Sequence, residues 1–472
     1  MRRVSSLVLL SGLIAALTGH GLAQEASEAE AHPEAAEEPE AMNLAAFLKA
    51  AEERYPALDV HDARIRAAQA RLEEARFSPF FRGWEATAGL TIAPRAEGTV
   101  IFSDQGQLPI SNGWAPVVDL GVRAFIPLYT FGKLRNLKRA ARAGIRAEEL
   151  NRERRLARLR YDVRRAYYGV QLALDIEQML NEGRPRLRRA RRKLARMIEE
   201  GDPNANPLHR YRLEAAVAEV EARASETTRL RASTEAALRA LTGVDEVRVP
   251  DCPIVAVDVE TLPLERFQER AARSRPEVGL LDAAIAARRA NLDIQRAGYA
   301  PDFGLGLQAR YSWGPGVTDQ ENPWIADPAN RQSLGAGLVM RWNLDFVGSR
   351  FRTVRARAQL EETEAQVEEA QLGMSLEVEL AYEALRDAQR QEEAWREGRD
   401  QTRAWFVSAA QAYDINLDDS DPKDLIDALK AYFEARFNHL RSIQALNTAA
   451  AELERVSGEP LLPADGWEPS CE

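Results

Sequence analysis

Residues 302–313 read Asp-Phe-Gly-Leu-Gly-Leu-Gln-Ala-Arg-Tyr-Ser-Trp. Successive side chains of an extended strand point to opposite sides. Phe303, Leu305, Leu307, Ala309, Tyr311 and Trp313 therefore share one face, and Asp302, Gly304, Gln308, Arg310 and Ser312 the other. Three further stretches repeat the pattern. Trp84, Ala86, Ala88, Leu90 and Ile92 oppose Glu85, Thr87, Gly89 and Thr91. Val118, Leu120, Val122, Ala124 and Ile126 oppose Asp119, Gly121 and Arg123. Leu334, Ala336, Leu338, Met340 and Trp342 oppose Gly335, Gly337, Arg341 and Asn343. Each stretch is about ten residues long, which is what a tilted strand needs to cross a bilayer. Trp84, Trp313 and Trp342 stand near strand ends, where interfacial aromatic residues gather. On this reading Leu90, Ile92, Leu120, Val122, Leu305, Leu307, Leu338 and Met340 face lipid. A soluble sandwich shows the same alternation, so the flanking sequence has to decide.

After Gly132 and Gly348 come two basic segments, Lys133 to Arg142 and Ser349 to Arg357, each opening a helical pattern of roughly 65 to 70 residues. At about 1.5 Å per residue such a helix is roughly 100 Å long. Leu156, Leu159, Val163, Ala166, Val170 and Ala173 recur in steps of three and four, as do Met374, Val378, Ala381, Leu385 and Ala388, the spacing of helices that pack along their length. The patterns stop at Gly201–Pro207 and at Asn416–Pro422, and a returning helix follows each, Leu208 to Leu241 and Lys423 to Val456. A hairpin wedged beside a helix that long has no obvious soluble core to cover, which favours lipid. Four strands cannot close a barrel of useful bore, so closure between copies of the chain follows.

The plan occurs twice. Pro276 follows Pro56 by 220 residues, Pro301 follows Pro79 by 222, and Gly348 follows Gly132 by 216. The first Ala-rich helix is expected to run from Tyr55-Pro56 to Phe77-Ser78-Pro79-Phe80, and the second from Arg275-Pro276 to Tyr299-Ala300-Pro301. The chain divides accordingly into repeats at 43–242 and 264–457, with 243–263 a short irregular or strand-like connector and 458–472 a tail. The fold class is α+β, mostly long helices, internally duplicated, with four membrane strands per copy.

The N-terminus reads as an export signal over 1–23: Arg2 and Arg3, an apolar run from Val4 to Leu17, and Gly21-Leu22-Ala23 before the cut. Residues 24–42 are acidic, rich in Ala, Glu and Pro, and too poor in apolar side chains to fold. The net charge of −10 points away from nucleic acid. The run Arg184 to Arg196 is accordingly read as a solvated helix face. No grouping of acid, base and nucleophile appears, so the chain is read as no enzyme, with no cofactor. His32, His61, His209 and His439 are scattered and read as surface polar residues, with no metal site. The glycines of Gly304-Leu-Gly306 and Gly335-Ala-Gly337 read as small residues facing a lumen.

In order and duplication, "RYPAL", "FSPF", "YAPDF", "PLYTFGKL", "WNLDFVGSRF", "RPEVGLLDAAIAARRANL" and "DLIDALKAYFEARFNHL" resemble the TolC family of outer-membrane efflux and secretion proteins, over nearly the whole mature chain. The resemblance implies a homotrimer. Each copy would give four strands to a twelve-stranded barrel and four helical passes to a tunnel through the periplasm. The implied function is the exit duct of a tripartite efflux pump or type I secretion system, working with a periplasmic adaptor and an inner-membrane pump or exporter. At the second tip, Asn416 to Asp421 stands where the family commonly has a Gly-centred turn.

By position, Asp424 and Asp427 in "DLIDA" match the paired aspartates that ring the periplasmic entrance in this family. Three residues apart, they share a helical face. The alternative is that Asp421 caps the helix and Asp424 complements its dipole. The resemblance also places the connector and the tail in an equatorial belt, where Cys252 and Cys471, the two cysteines of the chain, are candidates for a disulfide. The competing reading of the whole is a soluble periplasmic coiled-coil adaptor or scaffold, which would not need four amphipathic strands.

Overall fold

The computed structural model describes residues 41–97, 113–201, 207–260, 262–315, 317–319, 329–414 and 422–462. The export signal, residues 24–40 of the acidic lead, residues 202–206 and 416–421 of the two tip clusters, and Cys471 lie outside the described residues. The first repeat runs α1 (Leu44–Arg54), α2 (Pro56–Phe81), β1 (Glu85–Pro94), β2 (Ala96–Glu97), β3 (Trp114–Tyr129), α3 (Lys133–Glu199) and α4 (Pro207–Thr242). The second runs α5 (Leu264–Ser274), α6 (Pro276–Ala297), β4 (Asp302–Trp313), β5 (Val317–Asp319), β6 (Arg331–Arg341), α7 (Phe346–Asp414) and α8 (Pro422–Ser457).

Local chemistry fixes the breaks between helices. Asn43 caps α1, its Oδ1 accepting the Ala46 N–H at 2.9 Å. Tyr55 and Arg275 are extended, with ψ of 113° and 133°, because the ring of a following proline excludes the helical region. Pro56 and Pro276 then start α2 and α6, where a missing N–H costs nothing. The short α1 and α5 ahead of those prolines went unread in the sequence. One other expectation is corrected. The first Ala-rich helix does not close at Pro79 but continues to Phe81, because a proline in the last turn forfeits one bond while Arg82 N–H still reaches Ser78 O at 2.7 Å. Pro185 also lies inside α3, which runs through it for 67 residues.

The two repeats enter their long helices differently. Before α3, Phe131 (φ 48°) and Gly132 (φ 91°) are both left-handed and turn the chain within two residues. Before α7 the turn is made by side chains: Asn343 Oδ1 accepts Asp345 N–H at 3.1 Å, and Asp345 Oδ1 accepts Gly348 N–H at 2.8 Å.

The helical stripes read from the sequence are buried. Leu159, Val163, Val170 and Ile176 of α3 pack with Phe47, Tyr167 and Leu238 in one core. Val378 and Leu385 of α7 pack with Phe267, Leu446, Leu453 and Val456 in a second. At Gly183 an added Cβ would lie 2.7 Å from the Phe433 ring, so the bare backbone lets α8 approach α3.

The connector forms no strand among its described residues, and helix side chains satisfy its backbone instead. Ile254 N–H donates to Asp175 Oδ2 at 2.7 Å and Val257 N–H to Asn447 Oδ1 at 2.9 Å. Asn447 Nδ2 donates to Val255 O at 2.9 Å, and Gln389 Nε2 to Val259 O at 3.3 Å. Buried backbone polar groups need such partners. Ile254 joins the first core while Val257 and Val259 join the second.

Candidate membrane-spanning sheet and channel entrance

β1, β3, β4 and β6 form one antiparallel sheet in the order β1-β3-β4-β6. The register decides which residues share a face, since directly paired residues point the same way. Ala86 pairs with Val122, Val122 with Ala309, and Ala309 with Leu334. Ile126 pairs with Leu305 and Leu305 with Leu338. The apolar faces of all four strands therefore merge into one surface. Its most open members are Leu334, Leu338 and Leu90, at 88%, 83% and 74% exposure. Ile92, Leu120, Val122 and Met340 are also exposed, whereas Leu305 and Leu307 are half-buried because Leu338 and Ala336 flank them on the next strand.

The opposite face carries charge, part of it paired across strands. Glu85 pairs with Arg123 and Gly121 with Arg310. Arg310 reaches Asp119 at 2.6 Å and Arg123 reaches Glu85 at 3.6 Å. Gly304, Gly306, Gly335 and Gly337 lie on this face as read. A Cβ at Gly304 would lie 2.6 Å from the Phe125 ring, so there the reason is packing.

Aromatic residues mark both ends of the apolar surface. Trp114 and Trp313 stand at the loop end, and Trp84, Tyr129 and Trp342 at the helix end, all exposed. The eleven residues from Phe303 to Trp313 span about 33 Å along the strand, or about 25 Å across a bilayer once tilted. Trp114 and Tyr129 went unnoticed because β3 has 16 residues, more than the about ten a bilayer needs; its first residues pair with Thr91 to Pro94. Among the described residues β1 and β6 each have a strand neighbour on one side only, which leaves two open edges.

Asp424 and Asp427 lie in the first turns of α8, both exposed. Glu219, 3.0 Å away, holds the Lys430 ammonium above its ordinary value, with smaller contributions from Glu434 and Asp427. Cys252 is disulfide-bonded. Among the described residues no three His, Cys, Asp or Glu side chains gather as a metal site would require.

Two histidines depart from the surface reading, since His209 and His439 are buried. His439 Nε2 lies 3.2 Å from Glu392 Oε1 and its Nδ1 3.3 Å from Arg399 Nη1. Burial holds its pKa below the ordinary value, and Arg399 adds to the effect. Asp175, equally invisible in the sequence, is pushed up to about 6 by burial even though it accepts the Ile254 N–H.

A family model described as outer membrane efflux protein matches residues 268–459, which is most of the second repeat. No curated protein matches. Among solved structures, the outer-membrane channel OprN superposes with a TM-score of 0.71 at 19% identity, over 88% of this chain and 89% of that one. CusC, whose structures concern folding and transmembrane channel formation, gives 0.71 at 16% identity, over 88% and 92%. The open MtrE outer membrane channel of Neisseria gonorrhoeae gives 0.70 at 18% identity, over 89% of each chain. At these identities the likeness shows the fold.

Proposed function

We propose, for a chain that belongs to the TolC-like family of outer-membrane efflux and secretion proteins, that it is the outer-membrane exit duct of a tripartite pump or type I secretion system. The observation that carries the reading is the sheet, whose one face is apolar and exposed across four strands while the other is charged. In water such a face would forfeit about 1.5 to 3 kcal/mol for each large side chain left out. Against acyl chains it forfeits nothing. The open edges of β1 and β6 fit closure with neighbouring copies, since an unpaired edge in lipid leaves N–H and C=O groups without partners. Three copies give the twelve strands of a bored barrel. The charged face then lines the lumen, and α3, α4, α7 and α8 continue the conduit through the periplasm toward an adaptor and an inner-membrane pump.

Asp424 and Asp427 of three copies would gather at the periplasmic mouth, where converging carboxylates favour cations and oppose anions. Cys471 is proposed as the disulfide partner of Cys252, which would tie the tail to the connector. The deciding experiment is fractionation followed by planar-bilayer recording of the purified protein. A heat-resistant trimer from the outer membrane with stepwise conductance is expected. A soluble periplasmic monomer without conductance overturns the reading in favour of an adaptor or scaffold.

A further inference from the structure

On the charged side of the sheet, where β3 hands over to α3, lies a recess of about 580 Å³, within the size range of small-molecule sites. Its wall is largely apolar, built from Phe125 of β3, Pro79 of α2, and Leu134 and Leu137 of α3. Close backbone approaches pin that wall. A Cβ at Gly83 would lie 2.6 Å from Phe125 O, and one at Gly304 2.6 Å from the Phe125 ring.

The charges around the recess do not balance. Arg71, Arg82, Lys133 and Arg341 stand against Glu74 and Asp302. Lys133 Nζ and Asp302 Oδ1 are 2.8 Å apart and occupy each other. Arg341 lies with its guanidinium 3.8 Å over the Phe125 ring, which leaves its N–H edge free to point outward. Arg71 and Arg82 are exposed, and neither is within ion-pair distance of a carboxylate among the described residues. Three guanidinium groups therefore face a single uncommitted carboxylate, that of Glu74, around an apolar wall. Arginine binds carboxylate, sulfonate and phosphate groups through paired N–H donors.

We infer that this recess is a binding site for amphipathic organic anions, with the apolar body against Phe125, Leu134 and Leu137 and the anionic head between Arg82 and Arg341. The inference rests on the channel reading in one respect. If the charged face lines the lumen, each copy offers the site to cargo at the junction of tunnel and barrel. It adds a cargo class which that reading does not supply.

The test is isothermal titration of the full-length protein in nanodiscs of zwitterionic lipid, with naphthalene-2-sulfonate as probe and its trimethylammonium analogue as control. Saturable binding of one sulfonate per copy is expected, weakened at least tenfold by Arg82→Gln and by Arg341→Gln, with no saturable binding of the cation. Since both arginines are exposed, neither variant should disturb assembly, and retention of the heat-resistant trimer checks this. Equal binding of anion and cation, or anion binding indifferent to both substitutions, overturns the inference. Conductance of the same preparation separates the two claims. A conducting trimer without sulfonate binding loses the site alone, whereas arginine-dependent binding to a protein that does not conduct keeps the site and loses the lumen.

Discussion

The sheet and the helical bundle use the same side chains in opposite ways. Leu159 and Leu385 are at 1% and 0% exposure between helices, whereas Leu334 and Leu338 stand open at 88% and 83% on the sheet. In the bundle the apolar stripe turns inward and ion pairs such as Arg231 with Glu177, 2.7 Å apart, coat the outside. In the sheet the ion pairs lie on one face and the open leucines on the other. Burial away from water is the favourable term in the first case. In the second, the channel reading supplies the reason, since leucines set against an apolar medium forfeit nothing by facing out.

The largest expected effect lies where the bundle is tightest. Phe267, fully buried with its ring 5.9 Å from that of Tyr382, should cost about 3 to 5 kcal/mol on truncation to Ala, read as the denaturant midpoint of the assembled protein. The sheet should respond to charge. Leu338→Arg should cost about 2 to 4 kcal/mol near mid-bilayer, while Gly337→Ser, where an added Cβ meets nothing within 4 Å, should be close to neutral. Trimer melting on a gel compares them, and equal tolerance of the two changes would remove the distinction between the faces.

Asp175 tests the seam between the two cores. Its folded pKa of about 6 lies above the about 3.9 of an unfolded aspartate, so the folded state holds the proton more tightly. The contribution of this one carboxyl to stability should be greatest below about pH 4, fall by on the order of 2 kcal/mol as pH rises to about 6, and stay level above that. Asp175→Asn keeps an acceptor for the Ile254 N–H and should remove that component, read as the difference between the two proteins in denaturation at a series of pH values. A difference that does not change between about pH 4 and about pH 6 assigns the titration to another group.

Periodicity made the strands, the long helices and the duplication legible, because alternation in steps of two or of three and four is a property of one chain segment. Trp84, Trp313 and Trp342 could be read as end markers for the same reason. What could not be read depends on distant partners. Asp175, Asn447 and Gln389 look like ordinary helix residues until the connector's backbone groups are found beside them. Only the fold buries His439 beside Glu392. Leu305 and Leu307 match their more open neighbours in the pattern, and the place of β4 between β3 and β6 covers them. Pro79 and Pro185 show the limit of reading proline as punctuation, since α2 and α3 run through them.

The smallest effect on stability is expected at the helical end of the conduit, where the comparison turns from packing to charge. Asp424 and Asp427 are exposed, so changing both to Ala removes no buried contact. Asp424 lies in the first turn of α8, where a carboxylate near a helix N-terminus contributes about 0.3 to 1 kcal/mol. A loss of that size with unchanged ion selectivity would identify it as a dipole partner and nothing more. The entrance reading expects a different result. Six carboxylates converging at a narrow mouth should give a cation-selective reversal potential and block by divalent ions. The double variant, still a heat-resistant trimer, should lose both. Single variants sharpen the assignment, because Asp427 stands a turn deeper in α8 than Asp424 and further from the helix end. Asp427→Ala should therefore move selectivity while leaving the melting point in place, and a melting change without a selectivity change would assign Asp427 to the helix rather than to the mouth.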